Sequence, residues 1–372
     1  MGIFNKIVKI LSLVVVLLAV FYVGFIFYLF SLQDDREDYF TGLFSKKSLE
    51  QENKNYINNL PKNNDKSLNF LFFGDMMLDR HVGEKIRADG LSYIFEKLAG
   101  EENRFFQGID LISANLEGAV TNNGAHYLPV MDYDFAFAPE LIQELKNYNF
   151  NFFNLANNHF ADQGERGIIE TRENLDELDF DYIGCQDGKV GECSIKIMDI
   201  AGQKIGMAGF SMVYSKLDDG KMTEVVSTLA SSTDLVIINI HWGVEYEHYF
   251  NKTQQNIAYK LIEAGADIII GHHPHVAQGM EIYKGKPIFY SLGNFIFDQY
   301  FSKDTQEGLA IGINVNNEKF DIFFYPFKSK LSQAELMKDR EKEEFLSNLL
   351  SWSDIQEEYI EEIKKGILII NN

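Results

Sequence analysis

The longest apolar run in the chain comes first. From Ile10 to Gln33 (ILSLVVVLLAVFYVGFIFYLFSLQ) no residue is charged. At about 1.5 Å of rise per residue a helix of that length extends about 36 Å, enough to cross a hydrocarbon core of about 30 Å. Bulky Phe27, Tyr28, Leu29 and Phe30 close the run and no A-x-A pattern follows, so the pattern predicts an uncleaved anchor rather than a cleavable signal peptide. Lys6 and Lys9 precede it, while Asp34, Asp35, Glu37 and Asp38 follow with Arg36 among them. That asymmetry predicts a cytoplasmic N-terminus and a single pass through the cell membrane, with the main domain extracytoplasmic. Residues 34–66 are polar and read as a stalk, with a short helix around Ser48–Leu60.

From Leu68 the pattern changes to short apolar runs alternating with amphipathic segments, the signature of an α/β domain. The strands predicted are Asn69–Phe73, Asp110–Ala114, Phe150–Leu155, Leu235–Ile240, Asp267–Ile270 and Pro287–Ser291, and helices are expected at Gly83–Leu98, Pro139–Tyr148, Gly164–Leu178 and Thr253–Glu263. Continuous apolar strands with intervening helices imply strands buried on both faces. Ser194–Ile200 and Lys204–Phe210 flank Ala201-Gly202-Gln203 as a hairpin, which suggests a second sheet. The chain therefore divides into an anchor (1–33), a stalk (34–66), an α/β domain (67–330) and a charged helical appendage (331–372), its helices expected at Ser332–Leu350 and Ser353–Lys365.

Charge narrows the function. The 55 acidic residues outnumber 34 basic ones for a net charge of −21, which excludes general nucleic-acid binding and requires something locally positive wherever an anionic substrate is received. Two cysteines, Cys185 and Cys193, cannot form a disulfide scaffold or a four-thiolate zinc site. An extracytoplasmic location permits a bond between them, and two free thiols in a loop are the alternative.

The strand ends carry the candidate chemistry. Asp75 follows the first strand, Glu117 the second, Asn158 and His159 the third; His241 follows the fourth, and His272, His273 and His275 the fifth. In open α/β sheets ligands bind beyond the carboxyl ends of strands. Mixed carboxylate, imidazole and amide-oxygen donors suit one or two divalent ions such as Mn²⁺, Fe²⁺ or Zn²⁺, and two ions about 3.5–4 Å apart are the arrangement many phosphatases use to activate water. Such ions would also give an acidic protein its positive receiving point. Arg80 and Gln278 are candidates for contacting an anionic substrate, with Asn294 and Asp298 supporting the site from behind. Asp162 can cap the helix that follows Gly164.

Six blocks occur in order: FGDMMLDR (73–80), ANLEG (114–118), NNHFADQG (157–164), HWGVEY (241–246), GHHPHVAQ (271–278) and YSLGNFIFDQ (290–299). Together they resemble the bacterial capsule synthesis family, the CapA-type poly-γ-glutamate biosynthesis proteins, over about residues 68–330. That family is similar to the calcineurin-like metallophosphoesterases. The resemblance implies a four-layer α/β/β/α sandwich of metallophosphoesterase type, preceded here by one transmembrane helix. It implies metal ligation by Asp75, Glu117, Asn158, His241, His273 and His275, with His159 as the catalytic acid near the scissile group. One position departs from the expected Asp-x-His: it holds Met77, a poor ligand for a hard cation. The resemblance further implies a role in capsule synthesis or processing on an anionic polymer such as poly-γ-glutamate, beside membrane synthase partners. The expected chemistry is metal-dependent hydrolysis or transfer at a phosphoester or γ-glutamyl amide bond. A non-enzymatic accessory subunit for polymer export or retention, with a vestigial metal site, is the competing expectation.

Overall fold

The computed structural model describes residues 67–316 and 319–371. The anchor expected at 10–33 and the stalk at 34–66 lie outside the described residues, and no helix among those described is long and apolar enough to cross a membrane.

The chain builds one sheet, then a second, then returns to the first. It starts with β1 (Leu68–Met76) and β2 (Leu111–Leu116), and a short parallel pair, β3 (Ala119–Val120) and β4 (Ala136–Phe137), precedes β5 (Phe152–Asn154) and β6 (Asp181–Ile183). The second sheet takes β7 (Ile195–Ile200), β8 (Gln203–Ser211), β9 (Leu235–His241), β10 (Ile268–His272), β11 (Met280–Tyr283) and β12 (Lys286–Phe289). Then β13 (Asn294–Ile296), β14 (Glu307–Asn316), β15 (Lys319–Lys330), β16 (Gln333–Leu336) and β17 (Ile367–Asn371) rejoin the first sheet. Its order is β16-β15-β14-β1-β2-β5-β6, with β13 on β1 and β17 on β15; the second sheet runs β11-β12-β10-β9-β8-β7. The result is a mixed α/β fold with several sheets.

The centres of both sheets are parallel: β1, β2, β5 and β6 in the first, β8, β9, β10 and β12 in the second. All nine residues of β1 and all seven of β9 are buried, as expected of strands covered on both faces. A single apolar cluster unites the facing sides, with Phe70, Phe72 and Ile311 from the first sheet and Met207, Ile237 and Ile270 from the second. On the outer side of the second sheet, Phe210, Ile238 and Ile240 pack with residues of two helices, Asp219–Ala230 and Lys252–Glu263. On the outer side of the first, Phe73 stacks on Phe295 at 4.0 Å within a set of rings that includes Phe95 of the helix Ser92–Ala99.

Sequence expectation and structure part in two places. The helix expected over Gly83–Leu98 is two helices, Arg80–Asp89 and Ser92–Ala99, because Gly90 ends the first with φ 82°. The segment after Ser329 is not purely helical: β16 and β17 pair with β15 on either side of the helices Asp339–Trp352 and Glu357–Lys364. Phe345, Leu346, Ile363, Leu368 and Ile370 thereby enter the cluster between the sheets. The hairpin is present as β7–β8, and Cys185 and Cys193, left open above, form a disulfide with a Cα–Cα distance of 5.2 Å.

Two glycines preceding candidate ligands explain why the site-bearing strands can lie so close to their neighbours. A Cβ on Gly74 would fall 1.8 Å from the carbonyl oxygen of Gly293, and one on Gly271 would fall 2.0 Å from that of Tyr290. Backbone cannot yield as a flexible side chain does. Gly271→Ala is therefore expected to destabilise the protein by about 1–3 kcal/mol. Gly191→Ala, whose Cβ meets nothing within 4 Å, should stay within about 0.5 kcal/mol. Urea unfolding midpoints of the two variants check this; equal midpoints would refute the close-approach argument.

Candidate metal centre

The site lies where the carboxyl ends of β1, β2, β5, β9 and β10 converge. Asp75 marks the point at which β1 changes partner: β14 pairs with Leu68–Phe72, and β13 takes over at Asp75 and Met76. Register shifts at this position interrupt the ladder on both sides, a device that re-aims a side chain. Asp75 is fully buried. Asn115 Nδ2 donates to its Oδ1 at 2.8 Å and the His273 amide to its Oδ2 at 3.2 Å, while His272 Nδ1 and His275 Nδ1 stand at 3.5 and 3.4 Å. Burial pushes this carboxyl up, but the bonds to His272 and His275 and the charge on the imidazoles hold it well below the usual carboxylate range.

Glu117, the first residue after β2, is also fully buried, and burial together with the Asp75 charge pushes its carboxyl well above the ordinary value. Its Oε1 accepts from Asn115 Nδ2 at 3.2 Å, and Oε2 is buried with no hydrogen-bond partner among the described residues. His159 Nε2 and His241 Nε2 lie 3.8 and 4.0 Å from its two oxygens. Burial, then the neighbouring His273, lowers the His241 imidazole well below its usual range, so its neutral, ligand-competent form is favoured. The ligand atoms of Asp75, Glu117 and His241 all lie within 4.8 Å of one another, a group able to hold a metal ion.

The H-x-H segment is built against backbone preference: His273 has φ 98° and His275 φ 58°, in a region non-glycine residues rarely occupy. Such strain persists where the surroundings enforce it and clusters at functional sites. His275 Nδ1 lies 2.9 Å from Asn294 Oδ1, which leaves its Nε2 available as a donor. His273 Nδ1 is buried without a hydrogen-bond partner among the described residues, and burial lowers this imidazole to about 4. For His275 burial acts the same way, but Glu117 and Asp75 outweigh it and raise the group to about 9.

The donor chemistry fits a divalent cation. Two buried carboxylates face one another, one oxygen (Glu117 Oε2) and two imidazole nitrogens (His272 Nδ1 and His273 Nδ1) lack a hydrogen-bond partner among the described residues, and uncompensated buried charge is costly. A cation among them would satisfy each of these groups, and mixed oxygen and nitrogen donors suit Mn²⁺, Fe²⁺ or Zn²⁺.

The remaining expected residues fall around this centre unequally. Asn158 Oδ1 meets His241 Nε2 at 2.7 Å. His159 is fixed by Asp162, whose Oδ2 is 2.8 Å from Nδ1, so Nε2 faces Glu117 and the cleft; Asp162 also accepts from the Phe135 amide. Arg80 and Asp298 form an ion pair, and the guanidinium lies 4.8 Å from the centre of the Phe135 ring. Both residues line a cleft of about 600 Å³ together with His159, Asn158 and His275. Gln278 is not brought there. It is buried, accepts from Gln254 and donates to the Glu247 carbonyl, so its amide positions a loop rather than a substrate.

Sequence reading missed Asn115, a fully buried amide that touches Asp75, Glu117 and His241 at once and is itself held by Asn154 and Asn157. The only cue was a polar residue at the end of an apolar strand. It also left aside the exposed rings of Tyr133, Tyr214, Tyr246 and Phe301, which line the cleft mouth.

Comparison with known proteins gives this geometry a family. Residues 69–299 match the bacterial capsule synthesis protein family PGA_cap. The Capsule biosynthesis protein CapA of Bacillus anthracis is 31% identical over 262 residues, which cover 65% of this chain and 63% of that protein. The PGA biosynthesis protein CapA of Bacillus subtilis is 31% identical over 263 residues, covering 66% and 67% of the two chains. A Probable polyglutamine synthesis accessory protein of Mycobacterium tuberculosis is 24% identical over 229 residues, or 55% and 59%. The chain thus spans just under two thirds of the length of the first of these relatives. Since the matched segment contains every residue of the cluster, from Asp75 to the Asn294 that orients His275, the chain belongs to the bacterial capsule synthesis protein family as a CapA-type protein.

Proposed function

We propose that this chain is a membrane-anchored, extracytoplasmic protein of poly-γ-glutamate capsule synthesis or processing that carries out metal-dependent hydrolysis or transfer on the polymer. The observation that carries the reading is the buried, incompletely satisfied donor set of Asp75, Glu117 and His241, which adjoins the cleft residues Asn158, His159 and His275. The names of the Bacillus relatives support the polymer. The uncharged run at 10–33 supports the anchor and, with its flanking charges, the orientation. Two facing sheets with helices on their outer sides support a four-layer α/β/β/α sandwich of metallophosphoesterase type.

A bound divalent ion would polarise the scissile carbonyl or phosphoryl oxygen and favour ionised water at neutral pH. Asp75, Glu117, Asn158, His241, His273 and His275 would hold one such ion or two between them, and Asn294 fixes the His275 ring through Nδ1. His159 is the proton donor in this account. Asp162 occupies its Nδ1, so the proton passed to the departing amine or alkoxide leaves from Nε2 on the cleft side. The hydroxyl added to the carbonyl or phosphoryl and the proton added to the leaving group together complete the elements of water. Phe135 packs on the His159 ring at 4.3 Å and limits its rotation. A substrate acyl or phosphoryl group would enter between Arg80 and His159, under the aromatic rim.

The purified full-length chain loaded with Mn²⁺ is expected to shorten poly-γ-glutamate or to cleave an aryl phosphodiester. EDTA should abolish the activity, and His159→Gln should lower it by about 10²–10⁴-fold. Intact metal binding with no turnover on either substrate would contradict catalysis and leave the accessory role, the one for which the mycobacterial relative is named. Asn115 is a positioning residue here. Asn115→Leu is expected to weaken Mn²⁺ binding by about 10–100-fold, the scale of lost support to ligands. Titration calorimetry, with the unfolding midpoint measured alongside, checks this; unchanged affinity would show that Asn115 does not organise the site.

A further inference from the structure

Glu245 lies on an exposed turn four residues beyond the end of β9, yet it is not loosely held. The Tyr246 amide donates to the Pro274 carbonyl at 2.8 Å, the Gly279 amide to the His248 carbonyl at 3.1 Å, and Gln278 Nε2 to the Glu247 carbonyl at 2.8 Å. These bonds stitch the turn to the segment that carries His273 and His275. Tyr246 itself is held at φ 66°. The outcome is that ligand atoms of Glu245, His273 and His275 all lie within 4.8 Å of one another. Into this group points the buried His273 side chain, whose Nδ1 has no hydrogen-bond partner among the described residues. Asn294 occupies His275 Nδ1 and so directs Nε2 outward as the donor.

The group adjoins the first one without sharing its three residues. The His241 and His273 rings are 4.8 Å apart, and Asp75 of the first group reaches the second through its Oδ2, which accepts the His273 amide and stands 3.4 Å from His275 Nδ1. Met77 does not contribute: it is fully buried, and its sulfur accepts the Asp79 amide at 3.1 Å.

We propose that Glu245 is the carboxylate ligand of a second cation position, formed with His273 and His275 beside the position framed by Asp75, Glu117 and His241, and that it supplies the hard oxygen donor Met77 cannot. This rests on the metal reading above. The preferred ion is a hard or borderline divalent cation such as Mn²⁺, because one carboxylate and two imidazoles make a mixed oxygen and nitrogen set. Ions held at these neighbouring positions would together supply the Lewis-acid chemistry of a two-metal site.

The test uses the metal-stripped full-length protein titrated with Mn²⁺ alone and read by calorimetry and electron paramagnetic resonance. The unmodified chain is expected to bind two ions whose spins are coupled. Glu245→Gln is expected to keep one ion, weaken the other at least about tenfold, and turn the coupled signal into that of an isolated ion. Glu245→Asp should recover part of the second affinity, and Glu247→Gln on the same turn should change nothing. Because Glu245 is exposed, a folding failure is not expected, and the unfolding midpoint verifies that. Two coupled ions of unchanged affinity in Glu245→Gln would overturn the assignment while leaving the metal reading intact. Loss of both ions from a folded Glu245→Gln would overturn it too, since the first position does not use Glu245. No ion in the unmodified chain would instead overturn the metal reading and this inference with it.

Discussion

A carboxylate with no exposed surface is tolerable only if its surroundings replace the water it lost. For Asp75 they do so from several directions: the Asn115 amide from β2, the backbone amide of His273, the imidazole of His272 at the end of β10 and that of His275 from the loop after it. These contacts join the two sheets at one end. They require the exchange of strand partners at Asp75, and they require neighbouring backbone to pass where Gly74 and Gly271 lack a side chain. Much of the local irregularity, including the left-handed conformations of His273 and His275, follows from delivering polar atoms to this one buried acid.

The second acid turns that arrangement from support into chemistry. Glu117 faces Asp75 through the shared Asn115 amide, keeps one oxygen orphaned, and stands within 4 Å of two histidines. Hydrogen bonding satisfies Asp75 but leaves Glu117 incomplete, which is the asymmetry expected of a site built around a cation. Above it the cleft is lined differently. His159 is oriented by Asp162, Arg80 is paired with Asp298, and tyrosine and phenylalanine rings form the mouth. With Arg80 already matched by Asp298 and His275 by Asp75, the cleft offers an anionic polymer little positive charge beyond what bound ions beside it would bring.

How much of this the sequence disclosed depended on whether a residue's role was local. Asp75, Glu117, His241 and the H-x-H residues were legible because strand ends can be read from apolar runs and ligands collect there. The β7–β8 hairpin was legible for the same reason, since its turn and flanking patterns are contiguous. Asn115 was not: its importance comes from Asp75, His241, Asn154 and Asn157, each at least 39 positions away. Gln278 was misread because a polar side chain beside H-x-H suggests substrate contact, whereas its partners, Gln254 and Glu247, come from the segment after β9. Gln333–Leu336 looked helical in isolation and is a strand because β15 offers it an edge. The anchor expected at 10–33 lies outside the described residues.

The claim on which the account turns is that the group formed by Asp75, Glu117 and His241 holds a divalent cation. Its most direct test is diffraction from crystals grown with Mn²⁺, recorded at a wavelength where manganese scatters anomalously. The account predicts an anomalous peak enclosed by those three side chains, with Glu117 Oε2 turned toward it. Full Mn²⁺ exposure with no peak there, and Glu117 and His241 still bonded as described, would contradict it.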